Sequence, residues 1–247
     1  MALSELLIEV RDLRFRYEGG DWALAGVNFR LSASETVALL GPNGSGKTTF
    51  VLHLNGLLAG EGEITVCGLA VVKKNLPLVR QKVGIVFQDS EDQLFMPTVL
   101  EDVAFGPLNL GMSAHDSTQR ALEALERVGM AASAGQAPYH LSAGEKRRVA
   151  IAGILAMQPE ILVLDEPTTH LDPPSKRSLV ELLHELPQAK ILVTHDLDFA
   201  RPLASRAVFF ESGKVAADGS LERIVQDFGW ESPYVRRSNA GMNASHR

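Results

Sequence analysis

The sequence has a single cysteine, Cys67, which excludes an internal disulfide and a cysteine-built zinc cage and suits a reducing compartment. It has no surplus of positive charge. Against 24 Lys and Arg stand 30 Asp and Glu, a formal net charge of −6, so no bulk attraction draws it to nucleic acid or an anionic membrane surface. The local basic cluster Lys146, Arg147, Arg148 leaves that balance unchanged. No apolar run approaches the roughly 20 residues needed to span a bilayer. The opening MALSELLIEVRD has neither a basic start nor a cleavable apolar segment, so a soluble chain without a secretory signal is expected. Internal repeats and low-complexity tracts are also missing. What remains is a 247-residue chain, 45% hydrophobic and 22% charged, able to bury one large core, alone or with a small subdomain.

Short apolar runs at Leu7 to Val10, Val37 to Leu40, Val83 to Phe87, Ile161 to Leu164 and Ile191 to Val193 alternate with longer helix-like segments. Runs apolar at nearly every position predict strands covered on both faces, as in a parallel sheet flanked by helices. LIEVRDLRFRY and ALAGVNFRL alternate apolar and polar residues about a Gly-Gly turn, which predicts an antiparallel hairpin in an N-terminal β subdomain. From Ser113 to Met130 the pattern turns polar and helical, and residues 99–157 read as a helical insert. One domain over 1–232 is expected, with residues 233–247 a flexible tail lacking apolar periodicity.

Gly41 to Thr48, GPNGSGKT, matches G-x-x-x-x-G-K-[ST] between the apolar run TVALL and the helical run TTFVLHLN. In such a loop Gly41, Pro42, Asn43, Gly44, Ser45 and Gly46 wrap backbone amides around a phosphate chain, and Thr49 follows in the first helical turn. Lys47 adds a charge at the β and γ phosphates, and Thr48 a hydroxyl for magnesium. In ILVLDEP, Asp165 stands where a strand should end beside that loop, in position to hold magnesium through its waters. Adjacent strand residues face opposite ways, so Glu166 is expected to have a different task, and a general base for water fits. An acidic pair capping a turn before Pro167 is the plainer alternative. His195 ends another apolar strand, where ligands of parallel sheets gather. It could touch the γ-phosphate or orient the water. The other histidines, His53, His115, His140, His170, His184 and His246, have no metal-ligand spacing.

Leu141 to Met157, LSAGEKRRVAIAGILAM, contains Ser142 with Glu145 three residues on, a capping box at its simplest. The same helix start, with Ser142 and Gly144, offers a hydroxyl, exposed amides and a positive dipole end to an anion. Two anion sites separated by a helical insert are expected to face different directions on one chain, and two copies head to tail would unite them.

In this order the motifs resemble the ATP-binding subunits of ABC transporters, across Leu7 to about Val225. The family's Walker A loop matches GPNGSGKT, its glutamine loop Gln88 in VFQD, its signature LSAGE, its Walker B ILVLDEP, its D-loop Leu171 and Asp172, and its switch histidine His195. The fold implied is a P-loop α/β ATPase with a parallel sheet core, an antiparallel β subdomain and an inserted helical signature subdomain. The resemblance further implies ATP and Mg2+, with Tyr17 stacking on adenine, Gln88 at the metal and, with His195, positioning water, and Ser142, Gly144 and Asp172 serving the opposite site. VFQDSEDQLFMPTVLEDVAFGPLNLGM and LSAGEKRRVAIAGILAMQPEILVLDEPTTHLDP look most like the energy-coupling-factor ATPases of cobalt and nickel uptake. That likeness implies a membrane-peripheral subunit at the cytoplasmic face, pairing with itself or a related ATPase. Its partners would be an integral membrane coupling subunit and a substrate-binding membrane subunit, with no nucleic acid. The region around Gln88 and Gln93 would form the groove for coupling helices, and Leu94, Phe95, Val99, Val103 and Phe105 either pack there or join the core.

Two positions depart from the family pattern. Ala143 replaces a signature glycine, at a cost of about 1 kcal/mol if the backbone needs positive φ, and His170 precedes the D-loop Leu-Asp where small residues are common. The alternative is a soluble ABC ATPase acting on DNA or ribosomes. Against it stand the lack of sustained heptads between Thr48 and Leu141, the single copy of each motif, and the acidic balance.

Overall fold

The computed structural model describes residues 5–89 and 93–230, so the expected tail lies outside the described residues. Two sheets organise the chain. The first holds β1 (Leu6–Arg16), β2 (Trp22–Ser32), β4 (Glu61–Val66) and β5 (Leu69–Ala70) in the order β2-β1-β4-β5, with every pairing antiparallel. The hairpin read from alternation is therefore β1 with β2. The second has the order β10-β9-β3-β8-β7-β6 and contains β3 (Thr36–Leu40), β6 (Val83–Val86), β7 (Ile161–Asp165), β8 (Ala189–Val193), β9 (Arg206–Glu211) and β10 (Lys214–Ser220). Its strands are parallel except β10, which returns antiparallel on β9.

The apolar runs from Val37, Val83, Ile161 and Ile191 fall in this second sheet because both of its faces are covered, whereas Leu7 to Val10, expected with them, lies in β1 of the antiparallel sheet, where Glu9 breaks the apolar run. On one face Val37, Leu39, Val163, Ile191 and Val193 pack with Phe50 and Leu54 of α1 (Lys47–Leu54) and with the inner residues of the antiparallel sheet. On the other face, Ala38 and Leu40 meet α7 (Leu197–Ala200) and α8 (Leu221–Asp227). Leu162, Leu164 and Leu192 join the core of α3 (Val99–Asn109), α4 (Ala114–Arg127), α5 (Ala143–Leu155) and α6 (Pro173–Glu185) on that face. The short α2 (Leu76–Lys82) leads into β6. No helix among the described residues is long and apolar enough to cross a membrane.

Three helices, α3, α4 and α5, thus stand between β6 and β7, each with a side-chain cap. Thr98 and Ser142 form capping boxes with Glu101 and Glu145, and Ser113 accepts from the amide of Asp116. The apolar set before and within α3 divides. Val99 and Val103 are fully buried, Leu94 is partly buried against the same core, and Phe95 is 63% exposed with its ring edge-on to Phe105. Val99 and Val103 are four apart on the inward stripe of α3, whereas Phe95 precedes the helix and does not follow its periodicity. Gln93 turns inward as well: its Oε1 accepts from the Phe87 amide and its Nε2 donates to the Ile85 carbonyl. This side chain takes the place of a further strand at β6, the edge of the sheet.

Val99→Asp should therefore lower the melting temperature by more than about 10 °C, since a carboxylate would enter a closed apolar site. Phe95→Asp should stay within about 3 °C of wild type. Thermal melts followed by circular dichroism separate the two, and equal losses would contradict the division.

Candidate functional site

The phosphate loop leaves β3 under steric constraint. Gly41 has φ 134°, and a Cβ there would lie 2.1 Å from the Phe210 carbonyl oxygen; at Gly46, φ 105°, it would lie 2.6 Å from that of Ala23. Only glycine satisfies both the backbone and the space. No side chain caps α1, whose N-cap is Gly46, so its first-turn amides remain open to an anion. Lys47 bends back over the loop, donating from Nζ to the carbonyls of Gly41 at 2.7 Å and Pro42 at 3.0 Å. Burial draws its pKa below the lysine range, while Glu166 and Asp165 pull it upward.

Thr48 Oγ1 donates to Asp165 Oδ2 at 2.9 Å. Burial raises the Asp165 pKa, the Thr48 hydrogen bond and Lys47 oppose the rise, and Glu166 adds to it. A hydroxyl and a poorly solvated carboxylate side by side are hard oxygen donors that suit magnesium, and a cation would relieve the burial of the charge. The residues present fit that ion.

Glu166 follows the last residue of β7 with φ 45°, and its amide donates to the Val193 carbonyl at 2.8 Å. Its Oε2 lies 2.9 Å from His195 Nδ1 but off the line of a hydrogen bond, so this buried oxygen has no donor among the described residues. An unclaimed carboxylate oxygen beside an exposed imidazole can accept a proton from water.

Tyr17, Gly41, Pro42, Asn43, Gly44, Gly46, Lys47, Thr48, Thr49, Gln88, Asp165, Glu166 and His195 all line one open cavity of about 740 Å³. Ser45 does not line it; it is buried, its hydroxyl without a partner among the described residues. The Tyr17 hydroxyl lies 3.3 Å from Thr49 Oγ1, with the edge of Phe15 against its ring. Trp230 also lines the cavity and packs edge-on to Phe209. No pattern in the sequence distinguishes it from the start of the tail. Arg147, in the local basic cluster with Lys146 and Arg148, is buried and holds the carbonyls of Phe87 and Gln88; a charge run in a helix gives no sign of which member turns inward.

Ser142 and Gly144 line a separate cavity of about 480 Å³ that shares no residue with the first. Ser142 Oγ donates to Glu145 Oε2 at 2.7 Å and the Ser142 amide donates to the same oxygen at 2.9 Å, so the capping box forms in full. A Cβ at Gly144 would come within 2.9 Å of Ser175 Oγ. Asp172 caps the neighbouring α6, accepting from the Ser175 amide at 2.9 Å, and lines neither cavity. Ala143 is the first residue of α5 and has no positive φ, so the strain considered for a missing signature glycine does not arise. His170, in contrast, has φ 64° and is exposed, a conformation histidine tolerates better than branched residues.

The ABC transporter family profile matches residues 24–169. The energy-coupling factor transporter ATP-binding protein EcfA of Methanothermobacter thermautotrophicus is 49% identical over 227 residues, covering 90% of this chain and 73% of that protein. The structure of cbiO1 from Clostridium perfringens, described as part of the ABC transporter complex cbiONQ, superposes with TM-score 0.82 at 33% identity over 96% of each chain. The ATP-binding cassette MJ0796, solved as a dimer in a post-hydrolysis state bound to ADP and Pi, gives TM-score 0.77 at 30% identity over 87% of this chain and 99% of that one. With a P-loop fold, a family profile matched over more than half of the chain and relatives of this closeness, the chain belongs to the ABC transporter family as an ATP-binding, ATP-hydrolysing subunit of the energy-coupling-factor type.

Proposed function

We propose that two copies, or this chain and a related ATPase, close head to tail around two Mg-ATP molecules and drive import through a membrane complex. The observation that carries this reading is the separation of the half-sites: the phosphate loop and its carboxylates line one cavity, while Ser142 and Gly144 line another. A nucleotide on the first lacks the second until another copy supplies it. The dimeric MJ0796 cassette, with ADP and Pi bound, supports the pairing.

Within that site Lys47 and the open amides of α1 hold phosphate oxygens, and Tyr17 offers a ring for the base. Thr48 and Asp165 would hold magnesium together with Gln88, and the ion when bound supplies positive charge against the phosphates. Glu166 accepts the proton of the attacking water through its unclaimed oxygen, and His195 keeps that carboxylate and the water in line. Ser142 and Gly144 of a second copy close over the phosphates from the other side, with Asp172 bracing the adjoining α6. Phe95, exposed with its ring against Phe105, is the apolar contact for a coupling helix of a membrane partner at the cytoplasmic face. The cargo is a transition-metal ion, cobalt or nickel, a reading supported by the sequence likeness of residues 86–112 and by the resemblance to cbiO1.

Glu166→Gln tests the mechanism. It keeps size and hydrogen bonding but removes the proton acceptor, so hydrolysis should fall about 10²- to 10⁴-fold while ATP binding survives. Gel filtration with Mg-ATP should then show a dimer that the wild-type chain does not retain, and a near wild-type rate would move the base elsewhere.

The chain has two tryptophans, Trp22 and Trp230, and only Trp230 lines the nucleotide cavity. Mg-ATP should change tryptophan fluorescence in wild type and in Trp22→Phe, and leave Trp230→Phe unchanged. A signal that follows Trp22 instead would place the nucleotide away from this cavity.

Phe95→Asp should retain ATPase activity yet lose co-purification with the membrane partner and, with it, uptake of labelled cobalt or nickel into vesicles carrying the complex. Retained coupling would remove Phe95 from the docking surface, and uptake of neither metal by the wild-type complex would remove the assigned cargo.

A further inference from the structure

Arg147 lies in the second turn of α5 and is 3% exposed. It donates from Nη1 to the Phe87 carbonyl and from Nη2 to the Gln88 carbonyl, both at 2.6 Å. These acceptors are the two residues by which the chain leaves β6 for the first cavity. Nε is buried with no acceptor among the described residues. Burial lowers the pKa of this arginine and the charge of Asp89 opposes the change.

A guanidinium placed this way adds little as an ion pair, because its bonded partners are carbonyls and its desolvation is costly. Its planar fork instead fixes two successive carbonyls relative to the helix that carries it, which a single ammonium cannot do. From the other side Gln93 holds the same segment, at the amide of Phe87 and the carbonyl of Ile85. Gln88 therefore has its carbonyl fastened to α5 while its exposed residue lines the first cavity. The N-terminus of that same α5 carries Ser142 and Gly144 at the second cavity.

We propose that Arg147 is a positioning residue that couples the two half-sites within one chain. Closure of Gln88 on the nucleotide at its own phosphate loop turns α5 through the Arg147 fork and sets the Ser142–Gly144 end for the nucleotide of a second copy. The coupling rests on the reading of the first cavity as an ATP site. It predicts communication in a monomer, before any partner touches α5, and that separates it from contact made by dimerisation.

Amide hydrogen exchange tests it on the full chain, diluted until light scattering shows monomer, with magnesium and a non-hydrolysable β,γ-imido analogue of ATP. In wild type, exchange should slow about three-fold or more both at residues 43–50 and at residues 143–147. Arg147→Met should keep the response at 43–50 and lose that at 143–147, and Arg147→Lys should fall between. Gln88→Ala, which leaves the fork and its carbonyls in place, should also lose the response at 143–147. A wild-type chain that responds only at 43–50, or an Arg147→Met chain that still responds at 143–147, overturns the coupling. If Arg147→Met does not fold, as lost protection of β7 would reveal, Gln88→Ala decides, and a retained response at 143–147 there overturns it. Absence of any response at 43–50 in wild type would instead overturn the ATP site, and the coupling with it.

Discussion

Leu39, Val193 and Asp165 lie side by side in one row across three parallel strands, β3, β8 and β7. The site follows from that row. Parallel strands in register end level, so the turns leaving them open on one edge of the sheet. There Thr48 reaches Asp165 across the intervening strand β8, although the two are 117 positions apart in the chain. Val193 is the centre of the row, since its carbonyl receives the Glu166 amide and the chain beyond it leads directly to His195. A register slip in β8 would move its side chains to the wrong faces and take His195 out of reach of Glu166.

Burial on both faces holds the row. Leu39, Val193 and Val163 point to the core shared with α1, while Leu40, Leu192 and Leu164 point to the helices on the far side. The helix that must present open amides to phosphate is thus anchored by its own apolar residues, Phe50, Val51 and Leu54, in the same core that fixes the strands. Rigid backing of this kind lets an uncapped helix start and a glycine loop persist without a ligand.

Much of this was legible in the sequence, for identifiable reasons. Unbroken apolar runs marked the covered strands, alternation marked the hairpin, and the order of motifs assigned the α/β ATPase fold now observed. Side-chain direction was less legible. Val99 and Phe95 belong to one apolar segment, and only the turn at which α3 begins decides that one is core and the other surface. Gln93 read as a groove residue, yet it completes the edge of β6, a task set by tertiary contact. Lys146, Arg147 and Arg148 form one charge run. The third dimension divides it, sending Arg147 to the Gln88 segment and Arg148 to the Val128 carbonyl and the Ser178 hydroxyl. Trp230 reached the cavity by way of α8, and no local pattern foretells that approach.

The acidic pair shows why local rules break where chemistry is done. In a continuing strand Glu166 would face away from Asp165, as alternation requires. Both instead line one cavity, because β7 stops at Asp165 and Glu166 takes a left-handed φ of 45° that swings its side chain back to the same edge. That conformation costs a non-glycine residue on the order of 1–2 kcal/mol. Its surroundings hold it there: the Glu166 amide is bound to Val193, its carbonyl accepts from the Thr169 amide, and Pro167 follows. A glycine would relieve the strain but could not accept a proton. The signature turn had no such conflict to resolve. Ala143 is ordinary helix there, so a methyl group replaces a glycine without backbone penalty, whereas Glu166, the residue proposed as proton acceptor, carries a left-handed φ.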